Sequence, residues 1–353
     1  MKTKTEKDAL ESRQSLSTLS AKKDYIRFLG RCYEIDECVH FDWSSSGFEF
    51  SFTGTKAEAR LGMNHRQPGK QNDAYVQVYV DEKEVQIIRL DNDNMDSWFV
   101  LADGLTTGVH TVEVRKITEA ASSGCRLTDC RVDGAFEPKP AGKKRRIEFI
   151  GDSITCGLGI TSTDPSDEFT TEQENSMLTW ASLAARYFDA DWNSVAISGC
   201  GVVQDASGQK NLVMPQFYEK TQGLSDICKT DWDFGSGQPD AVVINLGSND
   251  FGSYVEKEAF HKEAVKFLKM VRSKNPKSRI FWVYGMMIDA RVEEIEEAIE
   301  AYCRLGDNDA TFIRLPLQDM AQDGTGAGNH PNIKTNEKAA EWLIQNLKTH
   351  MQW

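Results

Sequence analysis

The hydrophobic pattern of this 353-residue chain changes once, near residue 140, and that change limits the folds the chain can adopt. Before it, apolar and polar residues alternate in short stretches separated by Gly, Asp, Asn and Ser turns. Apolar residues that share one side of a predicted strand are Val39, Phe41 and Trp43, and then Phe48, Phe50 and Phe52. Alternation at period two with frequent turns predicts an antiparallel β-sandwich.

The second half follows a different pattern, in which continuous apolar runs alternate with helical stripes. The runs cover residues 147–150, 194–198, 241–246, 280–285 and 311–315, and each resembles a strand buried on both faces. The stripes are Phe260, Ala264, Phe267, Leu268 and Val271; Val292, Ile295, Ala298, Ile299 and Tyr302; and Ala339, Trp342, Leu343 and Leu347. Strands that alternate with helices predict an α/β fold with a parallel sheet.

The segment EPKPAGKKRR separates the two patterns and predicts a domain boundary. Its two prolines, its glycine and its run of four basic residues cannot continue a strand ladder or a core. We therefore predict an N-terminal β-sandwich at residues 20–137, a linker at 138–146 and a second domain at 147–353.

Charge and hydropathy exclude several classes of protein. No apolar run approaches the ~18 residues of a membrane span. The net charge of −13 repels phosphate backbones and anionic lipids, so we predict neither a nucleic-acid partner nor a membrane partner. No pair of histidines has the spacing of a metal site, and we predict no metal and no cofactor.

The first twenty residues contain no apolar segment of the secretory type, and the cysteines form no CxxC pair. We therefore expect reduced thiols and a cytoplasmic location. The cysteines are Cys32, Cys38, Cys125, Cys130, Cys156, Cys200, Cys228 and Cys303.

Polar residues follow the predicted strands of the second half. Ser153 lies in GDSIT, Gly199 in ISG, Asn249 in LGSND and His330 in HPN. Each of the four alone has a structural explanation. In the same order, these are a serine helix cap, a glycine turn, an Asx turn and an exposed loop histidine. Because reacting groups of parallel sheets collect past the carboxyl ends of the strands, the four together predict one catalytic site.

These four blocks make the region from Arg145 to the C-terminus resemble the SGNH hydrolases, which are also known for their GDSL-type nucleophile motif. A β-sandwich ahead of such a domain resembles carbohydrate esterase family 2, and the segments GRCYE, FEFSFTGT and ISGCGV are similar to landmarks of that family. The resemblance implies a jelly-roll-like sandwich followed by a three-layer α/β/α domain. It also implies removal of acetyl groups from xylan-type or mannan-type saccharides, often at the 6-hydroxyl.

The resemblance implies an acyl-enzyme mechanism. Ser153 would be the nucleophile and His330 the base, and the oxyanion would be held by the amides of Ser153 and Gly199 and the side chain of Asn249. Many SGNH hydrolases carry an aspartate three residues before the histidine, where this chain has Ala327.

The missing aspartate leaves two ways to orient the imidazole. Some members of the family work with a Ser–His dyad, in which a backbone carbonyl orients the histidine. Asp323 is the alternative third member, but three glycines separate it from His330 in a loop that we expect to be poorly packed, so we favour the dyad.

The predicted substrate is an acetylated oligosaccharide, and no protein partner is indicated. Two other functions remain open: a GDSL-type lipase or thioesterase, and a carbohydrate-binding protein with an inactive hydrolase domain. Trp232, Phe234 and Phe251 are candidates for a sugar-stacking surface, although core packing explains each of them equally well.

Overall fold

The computed structural model describes residues 16–20, 24–66, 72–91, 93, 96–224, 227–251 and 255–353. Within these residues the N-terminal half is built from β-strands in two antiparallel sheets. The strands are β1 Ser17–Ser20, β2 Ile26–Leu29, β3 Cys32–Ile35, β4 Cys38–Phe41, β5 Gly47–Gly54, β6 Ala57–Arg66, β7 Ala74–Val80, β8 Lys83–Leu90, β9 Ser97–Ala102, β10 Gly108–Lys116, β11 Ser123–Val132 and β12 Ala135–Phe136.

The sheets have the strand orders β3-β4-β11-β6-β9, with β1 beside β11, and β12-β5-β10-β7-β8, with β2 beside β5. Phe48, Phe50 and Phe52 of β5 are fully buried in the core between them, together with Val112 and Val114 of the neighbouring β10. Successive side chains of a strand point to opposite faces, so the period-two pattern places every second residue in this core. The predicted sandwich is confirmed.

Trp43 is an exception to the predicted pattern. Strand β4 ends at Phe41, and the chain then turns through Ser45, which has a positive φ of 62°. The turn directs the Trp43 indole away from the sandwich and into the core of the second domain, where its Nε1 donates to the carbonyl of Thr221 at 2.9 Å. The prediction that Trp43 shares a strand face with Val39 and Phe41 was therefore wrong.

The second domain contains a parallel sheet flanked by helices. In the described residues its strands are β13 Arg145–Gly151, β14 Ala190–Ala196, β15 Ala241–Asn245, β16 Arg279–Tyr284 and β17 Ala310–Arg314, in the order β14-β13-β15-β16-β17. Its helices there are α1 Ser153–Cys156, α2 Trp180–Tyr187, α3 Met214–Phe217, α4 Lys257–Lys274, α5 Val292–Cys303, α6 Met320–Asp323 and α7 Ile333–Met351. None of these helices is long and apolar enough to cross a membrane.

Both faces of this sheet are covered, as its continuous apolar strands predict. Val242 and Ile244 of β15 pack on the side of α4 and α5, and Val243 packs on the side of α2 and α7. The three-layer α/β/α prediction is confirmed. Trp342 was wrongly assigned to a buried stripe: its side chain is 48% exposed, because it lies at the edge of the face that Ala339 and Leu343 bury.

The two domains are joined by buried polar contacts. The Arg31 guanidinium, from the sandwich segment GRCYE, binds the Glu148 carboxylate on β13 at 3.1 Å. It also donates to the carbonyls of Tyr218 and Lys220, at 2.5 and 2.8 Å, and the Tyr218 hydroxyl donates to Glu148 at 2.8 Å. A buried charge is tolerated only when its partners are in place, so this network fixes the sandwich against the parallel sheet.

Candidate active site

Ser153 lies just past the carboxyl end of β13, at the first residue of the short helix α1. Asp152 caps that helix, and its Oδ1 accepts the amide of Ile154 at 3.0 Å. The cap therefore belongs to Asp152, and the Ser153 hydroxyl is free for another partner. The Ser153 residue is 7% exposed, so it is mostly buried.

That partner is His330. Its Nε2 lies 2.9 Å from the Ser153 Oγ, although 177 positions separate the two residues in the chain. The other ring nitrogen, Nδ1, lies 3.2 Å from the carbonyl oxygen of Ala327. A neutral imidazole with its proton on Nδ1 satisfies both contacts: Nδ1 donates to the carbonyl, and Nε2 accepts from the serine hydroxyl.

Hydrogen bonds hold the His330 loop closed. The His330 carbonyl accepts the amide of Gly326 at 2.7 Å and the hydroxyl of Thr325 at 2.8 Å, while the Ala327 amide donates to Gly159 at 3.2 Å. Ala327 is fully buried. The expected poor packing of this loop was therefore wrong, because backbone groups close a turn that the sequence shows only as scattered glycines.

Asp323 lies at the end of α6, and its carboxylate contacts the Lys338 ammonium of α7 at 2.5 Å. The carbonyl of Asp323 accepts the side-chain amide of Asn332 at 2.8 Å. These contacts tie Asp323 to the start of α7. The acceptor beside Nδ1 of His330 is the carbonyl oxygen of Ala327.

Asn249 follows β15 and faces the serine loop. Its Nδ2 donates to Asp152 Oδ2 at 3.2 Å and to the carbonyl of Cys200 at 3.0 Å. One side chain thus joins the loop of Ser153 to the loop of Gly199. Gly199 has a positive φ of 78°, which favours glycine, and a Cβ there would meet nothing closer than 3.6 Å. The positive φ, rather than a lack of space for a side chain, is therefore what favours glycine here.

Burial changes the proton affinity of two groups beside Ser153. It lowers the pKa of His330, which favours the neutral imidazole, although the carbonyls of Ala327 and Gly328 act in the opposite direction. Burial raises the pKa of Asp152 to about 7.

Sequence reasoning missed Asp250, which comes directly after Asn249. Its buried carboxylate accepts the amides of Val202, Val203 and Gln204 at 2.8, 2.7 and 3.1 Å. These contacts hold the segment that follows Gly199. Burial nevertheless raises the pKa of this carboxyl group above its usual value. The sequence did contain a signal for this role. Asp250 is the last residue of LGSND, and a carboxylate is a suitable acceptor for successive backbone amides.

Of the three aromatic candidates, Trp232 and Phe234 lie around the Arg31 guanidinium, with ring centres 5.6 and 5.1 Å from it. Their position beside the Arg31–Glu148 pair favours the packing explanation over a sugar platform. Phe251 is two residues beyond Asn249 and is 56% exposed, so it remains a candidate for contact with a substrate.

Among the described residues, Glu119, Cys156 and Glu174 form the cluster whose ligand atoms lie close enough to share a metal ion, within 4.8 Å of one another. All three residues are buried, and Cys156 is the last residue of α1. The Lys116 side chain donates to the backbone carbonyls of Thr118 and Glu119 beside this cluster.

The fold and the Ser–His contact define a hydrolase of the SGNH class. In agreement, the model of the GDSL-like lipase/acylhydrolase family matches residues 149–338, and that of the carbohydrate esterase 2 N-terminal domain matches residues 28–140. The chain belongs to carbohydrate esterase family 2.

Two curated relatives are 30% identical or slightly more. Cellulase/esterase CelE of Acetivibrio thermocellus is 31% identical over 318 residues, which cover 88% of this chain and 38% of that protein. The chain thus spans well under half of that relative's length. An acetylxylan esterase / glucomannan deacetylase of Cellvibrio japonicus is 30% identical over 269 residues, or 71% of each chain.

A solved structure supports the same assignment. The family two carbohydrate esterase from Clostridium thermocellum, in complex with cellohexaose, superposes with a TM-score of 0.86 at 30% identity. The superposition covers 93% of this chain and 99% of that one, so it includes both the sandwich and the α/β domain.

Proposed function

We propose that this protein is a serine esterase that removes O-acetyl groups from plant-type oligosaccharides, with mannan or xylan fragments as substrates. The observation that carries the proposal is the 2.9 Å contact between Ser153 Oγ and His330 Nε2, with Nδ1 held by the Ala327 carbonyl. A nucleophile within hydrogen-bond reach of an oriented base is the arrangement that acyl transfer requires.

In the first step, Ser153 Oγ bonds to the acetyl carbonyl carbon while its proton passes to His330 Nε2. The amides of Ser153 and Gly199 donate to the oxyanion, and so does the Asn249 side chain, whose N–H leaves Asp152 Oδ2 to do so. The sugar oxygen then leaves with the proton from His330. In the second step, His330 takes a proton from water, whose oxygen attacks the acetyl-enzyme and releases acetate with the serine hydroxyl restored.

We further propose the 6-hydroxyl as the position that is deacetylated. The support is the family resemblance together with the small exposed fraction of Ser153, which is 7%. An ester on the exocyclic carbon of a hexose extends further from the ring than a ring ester does, so it reaches a mostly buried nucleophile more easily.

Hydrolysis of p-nitrophenyl acetate against a long-chain p-nitrophenyl ester tests the reaction class. We expect rapid turnover of the acetate and little turnover of the long chain, because the mean hydropathy of −0.49 indicates a polar surface. Preference for the long chain would instead support a lipase. The absence of turnover with either ester would support a carbohydrate-binding protein with an inactive hydrolase domain.

Replacing Asp323 by Asn should reduce kcat by less than about tenfold, because the Ala327 carbonyl rather than the carboxylate orients His330. If Asp323 acted as the third member of a triad, the same change would cost about 10⁴-fold in kcat. Steady-state kinetics of the purified variant distinguish the two outcomes. The melting temperature serves as the control, since loss of the Lys338 ion pair can affect stability alone.

The pH dependence of kcat/KM should follow the neutral form of His330. Burial lowers the pKa of this histidine below its ordinary value of 6.5, so the base stays neutral at pH 7 and activity is lost only as the pH falls through the lowered pKa. An NMR titration of the His330 ring, beside the pH–rate profile, separates it from Asp152. Titration of the ring above pH 7 would contradict the expectation.

We also propose a cytoplasmic location. Its support is the cysteine pattern, since all eight cysteines carry free thiols. Five of them lie in the sandwich or in α1, and four of these five are buried. Intramolecular disulfides found by mass mapping of the native protein would contradict it.

A further inference from the structure

A loop of the β-sandwich reaches the back of the active site. It connects β10 to β11, and its Glu119 side chain is almost fully buried in the second domain. Glu119 Oε2 accepts the backbone amide of Ser198 at 2.7 Å, and the Cys156 thiol lies 3.7 Å from the same oxygen.

These two partners belong to the catalytic loops. Ser198 directly precedes Gly199, and Cys156 is the last residue of α1, the helix that begins at Ser153. One carboxyl group from the other domain therefore contacts both the segment of the nucleophile and the segment of the proposed oxyanion donor.

The contact with Ser198 continues the hydrogen bonding of β14 beyond the end of that strand. The last bond to the neighbouring strand runs from the Ile197 amide to the carbonyl of Gly151 at 3.3 Å. The chain then turns at Gly199, and the Ser198 amide finds its acceptor in Glu119 instead of in the sheet. The Ser198 amide, in a half-buried residue, thus keeps an acceptor after the chain leaves the sheet.

The loop that carries Glu119 is itself held firmly. The Ile117 carbonyl accepts the Ser176 amide at 2.9 Å, and the Glu119 amide donates to the Glu174 carboxyl group at 3.0 Å. Ala120 packs so closely on Gly223 that a Cβ there would lie 2.7 Å from the alanine methyl group. Residues of the second domain therefore hold the backbone around Glu119, and the Lys116 ammonium of the sandwich donates to the Glu119 carbonyl at 3.0 Å.

We propose that Glu119 is a positioning residue, through which the β-sandwich holds the Ser198–Gly199 backbone in the orientation that oxyanion binding needs. The inference rests on the proposed role of Gly199 as a donor. A preorganised donor contributes to catalysis only where it meets the developing charge, and a small displacement far from the reacting atoms reduces the rate greatly. The sandwich thus acts on kcat through the backbone that Glu119 holds.

The test compares Glu119→Ala with Glu119→Gln on p-nitrophenyl acetate. The alanine variant lacks the acceptor, and we expect kcat to fall roughly 10- to 100-fold with KM within about threefold of wild type. The glutamine variant keeps an acceptor oxygen in the same place, and we expect it to stay within about fivefold of wild type in kcat.

Trp43→Phe is the matched control, because it removes a different hydrogen bond between the domains, the one from Nε1 to the Thr221 carbonyl. We expect it to lower the melting temperature and leave kcat nearly unchanged. An equal loss of kcat in Trp43→Phe and Glu119→Ala would overturn the proposal, since domain docking alone would then explain both.

Wild-type kcat in a folded Glu119→Ala variant would also overturn the proposal. If the alanine variant does not fold, Glu119→Asp takes its place, because its shorter side chain withdraws the acceptor from Ser198. Wild-type kcat there would overturn the proposal equally. Activity retained by Ser153→Ala would instead contradict the proposed function, so the two failures are distinguishable.

Discussion

Ser153→Ala is expected to abolish ester hydrolysis, with a loss of more than about 10⁴-fold in kcat, because it removes the oxygen that forms the acyl-enzyme. The change removes one hydroxyl, whose partner is His330 Nε2 at 2.9 Å. The helix cap comes from Asp152 and is unaffected. We therefore expect the melting temperature to stay close to that of wild type.

Initial rates with p-nitrophenyl acetate, together with thermal unfolding, measure both expectations. Ser248→Ala is the matched control, since it makes the same change on the loop that follows β15, and it should keep most of its activity. Turnover by Ser153→Ala above about a hundredth of the wild-type rate would be incompatible with Ser153 as the nucleophile.

Asn249→Ala is expected to lower kcat by roughly 10²- to 10³-fold, the usual cost of one lost oxyanion donor. The Asn249 amide gains its contact with the oxygen mainly in the transition state, so KM should change little. The change also removes the hydrogen-bond donor of Asp152 Oδ2, because the Asn249 Nδ2 lies 3.2 Å from that oxygen in the native site. An unsatisfied buried acceptor costs about 1–3 kcal/mol, so we expect a measurable fall in melting temperature.

The split between kcat and KM identifies the role of Asn249. Asn346→Ala on the exposed side of α7 is the control for removal of an amide, and it should leave both constants unchanged. A wild-type kcat with a raised KM in Asn249→Ala would place the amide in substrate binding and remove it from the oxyanion site.

The sequence was sufficient for the layers of the fold because each layer has its own hydrophobic period. Phe48, Phe50 and Phe52 alternate and are buried in the sandwich, and the continuous run in β15 is buried on both faces. The convergence of Ser153, Asn249 and His330 was predictable for a related reason. Parallel strands end at one edge of the sheet, so a serine, an amide and a histidine placed after different strands converge there.

Long-range polar contacts were not predictable, because nothing in a local pattern shows which backbone group a distant carboxyl group will meet. Glu119 lies in a loop of ordinary composition, and its contact with Ser198 spans 79 positions. Asp250 was visible in its motif, but its three amide donors were not. The closed turn at Ala327 is likewise built from backbone atoms, which carry no sequence signal.

The hydrophobic period also could not predict where a side chain points when it lies at the end of a strand or at the edge of a helical stripe. Trp43 follows the alternation of β4, but the strand ends two residues earlier and the turn sends the indole into the other domain. Trp342 falls near the edge of a helical stripe, where a large residue can lie on either side.

Deacetylation of oligosaccharides by Ser153 and His330 is tested most directly by measuring acetate release from acetylated mannan and xylan oligosaccharides with wild type and Ser153→Ala. We predict that wild type releases acetate, that esters at the 6-hydroxyl are removed first, and that Ser153→Ala releases none above the background without enzyme. Wild type that cleaves p-nitrophenyl acetate but releases no acetate from either saccharide would contradict the account.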